Sequence, residues 1–431
     1  MQGLRSILSS IKNKLRKSIS VFRFCLLSVR YKRIIERLNV KLGKEPIRVG
    51  FLGYLDGPSC DVFTELYNKF SNDSRFICSV ITVPYTHDEK GKMIKKQQVA
   101  IDYLESRGIK PLPGYDEEND VYVDYSGLFD LVFFEVEYDW VHPYFKAQNF
   151  PQALSFVIPY GQYLANNIIH HLSCEMMSYV YMVFPTSVSV GKMMKKYSVI
   201  NGRNICNIYL GNPKTDVFFF PPRQYDDVWQ KANSLQKRII WAPHHTWADY
   251  SNFEFYSDFF LNYAESHKDD IFLAIKPHPA LRDSLKSINQ WSDEKIEFYF
   301  DRWRNGKNTA LFEGAWYDLF MSSDAMILDS IGFMLEYSLS MKPACVLYRE
   351  NEKGDRIMKF SECGEEVYNL LYHAKSQQEV ESFIGLIKNG DDPSFEFRKK
   401  YIENNYLPPY NKSGSENIYN YIIEVIEKNE R

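Results

Sequence analysis

IFLAIKPHP (Ile271–Pro279) and YDLFMSSDAMILDSIGFMLEYSLSMKPACVLY (Tyr317–Tyr348) are the two segments on which the fold turns. Ile271–Ile275 is an unbroken apolar run and reads as a buried strand that stops at Lys276-Pro277-His278-Pro279. A second apolar run, Ala325–Leu328, stops at Asp329-Ser330. An amphipathic helix starts at Ile331, and a third strand follows at Pro343–Leu347. Strand, polar tip, helix, strand is the order of a parallel α/β sheet. Ligands bind such sheets at the carboxyl ends of the strands, and His278 and Ser330 both fall there.

The tips carry the chemistry. Asp329-Ser330-Ile331-Gly332 has the makings of an anion cradle: Ser and Asp favour helix N-caps, and the first turn offers unpaired N–H groups at the positive dipole end. Gly332 would let a ligand approach the backbone. The plainer reading is a capped helix with an apolar face of Phe333, Met334 and Tyr337. In Lys276-Pro277-His278-Pro279 two prolines restrict the chain around one imidazole, a side chain suited to proton work near neutral pH, and Lys276 adds positive charge. A further strand, Arg238–Ala242, ends at Pro243-His244-His245-Thr246-Trp247. A metal would need more ligands at set spacing, and none stands nearby, so the pair points to phosphate or proton transfer and no metal is expected. Glu313, before a helix at Ala315–Met321, is a candidate for ribose hydroxyls. Arg302 and Arg304 are candidate phosphate or surface charges.

The 431 residues are enough for two domains, 45% of them are hydrophobic, and the net charge of −3 gives no sign of a nucleic-acid partner. Seven scattered cysteines with no CxxC read as buried thiols of a reducing compartment. The first 44 residues hold twelve Lys or Arg and one acid, Glu36. Leu4, Ile7, Leu8, Ile11 and Leu15 recur there at helical spacing. No run of apolar residues is long enough to span a bilayer, and Val21–Val29 contains Arg23 and no cleavage site. The segment is expected to be a basic amphipathic helix on an anionic inner membrane leaflet; the alternative is a helix packed on the body.

Ile47–Ser59 reads as a strand and a Gly-rich turn without the dinucleotide spacing. A helix near Asp61–Phe70 and a strand at Phe76–Val83 complete a β-α-β unit, and a Lys-rich helix follows near Lys92–Arg107. Asp116–Asp124 reads as a loop. The strand Leu131–Phe134 ends at Glu135, Glu137 and Asp139, acids that could bind metal, act as a base or simply be solvated. Leu154–Ile158, Val180–Phe184 and Ile208–Leu210 read as strands, and Gly211-Asn212-Pro213 as a turn. Glu379–Lys388 and Ser415–Lys428 read as amphipathic helices.

Trp241–Trp247 (WAPHHTW), Lys276–Pro279 (KPHP) and Ser322–Tyr348 together resemble the CDP-glycerol glycerophosphotransferase family, which builds teichoic-acid-like and capsule-like glycerol-phosphate polymers in bacteria. The resemblance is good over roughly Ile239–Tyr348 and only in outline before it. It implies a GT-B-like fold: two Rossmann-like parallel-sheet domains facing a cleft, here with a basic helical extension. The expected divisions are 1–45 for the extension, 46–220 for an acceptor domain, 221–237 for a linker, 238–400 for a nucleotide-donor domain and 401–431 for a helical tail.

The resemblance further implies a CDP-glycerol or related donor, with its phosphates near Ser330, His278 and Lys276, and a polyol-phosphate or glycan acceptor. It implies no cofactor and a site on the cytoplasmic side of the membrane. Where the family carries a Trp-His-Gly, this chain has Pro159-Tyr160-Gly161. The base is then expected at His244 or His245, with Tyr160, His170 and His171 as alternatives. Gly211 resembles a turn near the family's domain junction. Two other functions are open: a GT-B glycosyltransferase using a CMP- or UDP-sugar, and a non-catalytic scaffold of a polysaccharide assembly complex.

Overall fold

The structure is a computed structural model. It describes residues 26–55, 57, 61–137, 140–166, 171–172, 174–197, 206–220, 225–245 and 251–428. Residues 1–25, with most of the expected basic helix, lie outside that set, as do His170, Thr246 and Trp247. The chain divides into two units, residues 1–162, 167–221 and 405–431 in the first and 163–166 and 222–404 in the second.

The first unit holds strands β1 (Ile47–Gly53), β2 (Phe76–Thr82), β3 (Leu112–Pro113), β6 (Leu131–Phe134), β7 (Leu154–Val157) and β8 (Met182–Val183). They form one parallel sheet in the order β3-β2-β1-β6-β7-β8. A separate hairpin, β4 (Tyr115–Asp116) and β5 (Val121–Tyr122), occupies the stretch expected to be a loop. The sheet is apolar on both faces, as a sheet covered by helices on both sides must be. Phe51, Phe133 and Phe156, on the adjacent strands β1, β6 and β7, stack with ring centroids 5.0 Å apart at each step. That spacing is close to the distance between neighbouring strands, so each ring rests on the next.

Two helices from the ends of the chain close this core. Residues 26–41 are helical and bury Tyr31, Ile34, Ile35 and Leu38. Three of the segment's basic residues are spent inside the unit: Arg30 donates to the Phe150 carbonyl at 2.8 Å, Lys41 to Asp130 at 2.6 Å, and Arg37 to Gln152 Oε1 at 3.3 Å. This part of the basic segment is therefore packed on the body. No described helix is long and apolar enough to cross a membrane. The helix Gly414–Glu427 adds Ile418, Ile422 and Ile426 to the same core.

The second unit holds β9 (Lys237–Ala242), β10 (Ile271–Ile275), β11 (Thr309–Leu311), β12 (Ala325–Leu328), β13 (Ala344–Leu347) and β14 (Tyr372–Ala374), in the parallel order β11-β10-β9-β12-β13-β14. Its core centres on Trp241, which stacks on Phe253 and packs beside Phe260 and Trp303. In both units the third, second and first strands run outward one way and the fourth, fifth and sixth the other. This is doubly wound Rossmann order, with a switch point between the first and fourth strands. The two Rossmann-like parallel-sheet domains expected from the sequence are both present.

Local departures have local causes. Ile208–Leu210 makes no strand: beside the two-residue β8 only Asn207 bridges, to Val183, and a turn begins at Gly211. Leu281–Ser287 and Asp293–Asn305 are helices and Thr309–Leu311 a strand, where the sequence had suggested only scattered charges. Arg302 and Arg304 sit in the last turn of the second of these helices and pair at the surface with Asp258 and Asp301.

Candidate functional site

The switch point of the second sheet lies between β9 and β12, and the loops after β9, β10 and β12 carry most of the residues singled out above. They are held together by Asp329, which follows β12 directly. Its carboxylate accepts the His244 backbone N–H at 2.6 Å, the Asn252 side-chain N–H at 3.2 Å and the Asn252 backbone N–H. Asn252 Nδ2 also donates to the Leu347 carbonyl at 3.1 Å, so one side chain ties the loop after β9 to both β12 and β13. Burial pushes the Asp329 carboxyl up to about 6, while these N–H groups and the charge of Arg349 pull it back. Asp329 acts on the site by fixing the histidine loop, since its oxygens are occupied by protein donors.

Three imidazoles converge there. Ring centroids are 4.4 Å apart for His244 and His245, 4.1 Å for His245 and His278, and 5.1 Å for His244 and His278. The backbone enforces the meeting: His278 N–H donates to the Pro243 carbonyl at 3.1 Å, latching the tip of β10 to that of β9. Burial, and then the two neighbouring imidazoles, push His244 down to about 3; burial alone lowers His245. Both are neutral at pH 7. Nδ1 of His245 is buried with no hydrogen-bond partner among the described residues.

Candidate ligand atoms of the three histidines lie within 4.8 Å of one another, close enough to share a metal ion. The tautomer of His278 points elsewhere. Its Nδ1 accepts the Ala280 N–H at 3.1 Å, so the neutral ring carries its proton on Nε2 and presents a donor. A donor fits an oxyanion; a metal ligand needs a lone pair at that atom.

Lys276 supplies charge at the same edge. It is buried, and its Nζ donates to the Gly314 carbonyl at 2.7 Å, leaving two of three donors for a ligand. Burial lowers its pKa to about 8, with Glu313 opposing. Glu313 itself is exposed and accepts from Arg282 Nε at 3.0 Å, so part of its capacity is already used. Ser330 takes the N-cap position of the helix Ile331–Ser338 with extended backbone angles, yet its hydroxyl makes no capping bond. Phe333 N–H goes to the Ser330 carbonyl at 3.2 Å, and the side chain of Ser330 takes none of the N–H groups before it. A Cβ on Gly332 would meet only Glu336 Oε2, at 3.9 Å, so the protein leaves that side of the turn open.

Tyr160, Gly161 and Gly211 belong to the first unit. Tyr160 follows β7 and donates its N–H to the Glu135 carbonyl at 3.2 Å. A Cβ on Gly161 would meet nothing within 4 Å. Gly211 has a packing role: φ is +94°, and a Cβ would strike Gly414 Cα and Pro408 Cβ, each at 2.7 Å. Of the acids after β6, Asp139 lies outside the described residues, and Glu135 and Glu137 are buried, not solvated. Glu135 is fully buried and accepts the N–H groups of Tyr54 at 2.6 Å and Leu55 at 3.0 Å, doing for the first switch point what Asp329 does for the second. Glu137 is buried and pairs with His171 Nδ1 at 3.2 Å. Asn252 and Arg349 were missed in the sequence. Asn252 only opens an aromatic-rich stretch, and Arg349 is a lone basic residue beyond a strand.

No family model and no curated protein matches the sequence. Solved structures do match. A histidine variant of the wall teichoic acid polymerase TagF aligns over 96% of this chain and 98% of its own, with 13% identity and a TM-score of 0.56. A second histidine variant of that polymerase, soaked with CDPG, aligns over 97% and 99%, with 14% identity and a TM-score of 0.56. The UDP-GlcNAc 2-epimerase of Neisseria meningitidis bound to UDP-GlcNAc aligns over 89% and 100%, with 13% identity and a TM-score of 0.54. At such identities the likeness is one of fold. The chain has two Rossmann-like domains and a GT-B-like fold, as do these enzymes, a teichoic acid polymerase among them.

Proposed function

We propose that the protein is a transferase that moves glycerol phosphate, or a related polyol phosphate, from a CDP-polyol to an acceptor hydroxyl in the synthesis of a bacterial cell-surface polymer, releasing CMP. The observation that carries this reading is the convergence of three imidazoles, a buried lysine and an uncapped helix N-terminus at one switch point. The donor's diphosphate lies over these strand tips. His278 Nε2–H and Lys276 donate to its oxygens, with the first turn of the Ser330 helix. An acceptor oxygen attacks the distal phosphorus in line and gives its proton to a histidine. The bridging P–O bond breaks, and CMP leaves. His245 is the better base of the adjacent pair, because its Nδ1 has no partner among the described residues and it is less buried than His244. Positioning and charge neutralisation are what phosphoryl transfer chiefly demands.

Nucleotide release by the purified protein, with membrane extract as acceptor source, tests the proposal against CDP-glycerol, CDP-ribitol, a CMP-sugar and UDP-sugars. The expected result is CMP from a CDP-polyol alone, with His278→Ala slower by about 10²–10³-fold, as for loss of one preorganised donor. Turnover of a sugar nucleotide would replace phosphotransfer with glycosyl transfer, the second reading, which the likeness to a UDP-GlcNAc enzyme supports. Silence with every donor would leave the scaffold. The protein works at the cytoplasmic membrane face, its basic N-terminal segment on anionic lipid; co-sedimentation with anionic but not neutral vesicles is expected of the full chain and not of one lacking residues 1–25.

A further inference from the structure

Arg349 stands just past the end of β13, one strand beyond Asp329 and on the opposite side of it from Lys276 and His278. Its Nε and Nη2 are both buried, and neither has a hydrogen-bond partner among the described residues. These two atoms form the side edge of the guanidinium, where two parallel N–H bonds point the same way. Burying such donors unpaired costs free energy, and a native protein leaves them so where a ligand completes them.

The surroundings say what kind of ligand. The nearby carboxylate, Asp329, accepts three protein N–H groups and none from the buried edge of Arg349, yet its charge and that of Arg349 offset each other. The next acid along the chain, Glu350, is paired with Lys375 at 3.0 Å. The fork therefore lacks two adjacent acceptor atoms rather than a negative charge. The guanidinium stands over the Phe255 ring, 5.6 Å from its centroid, and that ring is exposed. A planar heterocycle held in the plane of the fork can extend along the same ring, and a phosphate gains nothing from it.

We propose that Arg349 reads the nucleobase, its Nε–H and Nη2–H donating to the adjacent O2 and N3 acceptors of cytosine beside Phe255. Uracil has the same O2 but an N3–H, which would face a guanidinium N–H and leave both unsatisfied. The fork thus selects cytidine over uridine donors. The assignment rests on the reading of this unit as the nucleotide site, and it sets the nucleoside on the β13 side with the diphosphate toward β9 and β10.

Calorimetric titration of the full chain with CMP and with UMP tests it, in the wild type, Arg349→Ala and Arg349→Lys. The wild type is expected to bind CMP at least tenfold tighter than UMP. Both variants should bring CMP down to the UMP level and leave UMP within about twofold, which also certifies their fold; lysine keeps the charge but not the fork. Equal wild-type affinities overturn the proposal. So does a parallel loss of CMP and UMP binding in the variants, the mark of a phosphate clamp. A wild type that binds neither nucleotide overturns the donor site itself, and base reading with it.

Discussion

Lys276 gives the site a pH dependence that an exposed lysine would not. Its pKa is lowered to about 8 because burial penalises the ammonium more than Glu313 favours it. A diphosphate needs the protonated form. Binding of CDP is therefore full below about pH 8 and weakens above it, approaching a tenfold loss per pH unit. The neighbouring imidazoles do not mimic this, since the pKa of His244 lies near 3 and that of His245 is also lowered. Lys276→Arg, charged throughout, should bind CDP with no decline between pH 7 and pH 9.5. Calorimetry across that range decides: a wild type as flat as the variant would remove Lys276 from the phosphates.

Among the elements, the helix Ile331–Ser338 separates a structural cap from an anion cradle by the sign of one substitution. Ser330 occupies the N-cap without a capping bond. Ser330→Asp would accept a first-turn N–H and complement the helix dipole, raising stability by about 0.5–2 kcal/mol. The same carboxylate would repel a diphosphate and occupy its donors. Thermal stability should rise while CDP affinity falls at least tenfold; a gain in stability with affinity unchanged would make the turn a plain cap. The start of this element was legible in advance, because an apolar run ending in Asp-Ser before a helical stretch has few other solutions; its expected amphipathic character was not, since Met334 to Ser338 are all buried. The strands Ile271–Ile275 and Ala325–Leu328 were legible for the same reason and have the expected ends. The ties that build the site were not. Asp329 and Asn252 stand 77 positions apart, and nothing local in either marks the other. Glu135 and Glu137 looked like solvated acids because burial depends on what folds over a loop. Leu281–Leu311 escaped because its first helix is only seven residues long and its second carries many charged residues among its buried aromatics.

At the scale of the molecule, one sheet plan appears twice, and each copy has an acid directly after its fourth strand that holds the loop after its first. Glu135 holds Tyr54 and Leu55, and Asp329 holds His244. The loop after β9 carries histidines, whereas the loop after β1 is pinned tightly enough that a Cβ on Gly53 would strike Glu135. The first unit has a further dependence, on chain that returns to it after residue 404. Asp216 accepts the N–H groups of Gly414 at 2.6 Å and Ser415 at 2.9 Å, and the helix beyond them packs on Thr64–Ser71 and buries Ile422 completely. Ile422→Ala should therefore cost about 2–5 kcal/mol, the range for emptying a buried site of this size. The loss belongs to the sheet that the helix covers. Hydrogen exchange should rise in β1, β2 and Thr64–Ser71, where backbone protection depends on that core. Unchanged protection there, in a variant shown to carry the substitution, would mean that the returning helix is an ornament and that the first sheet closes its core without it.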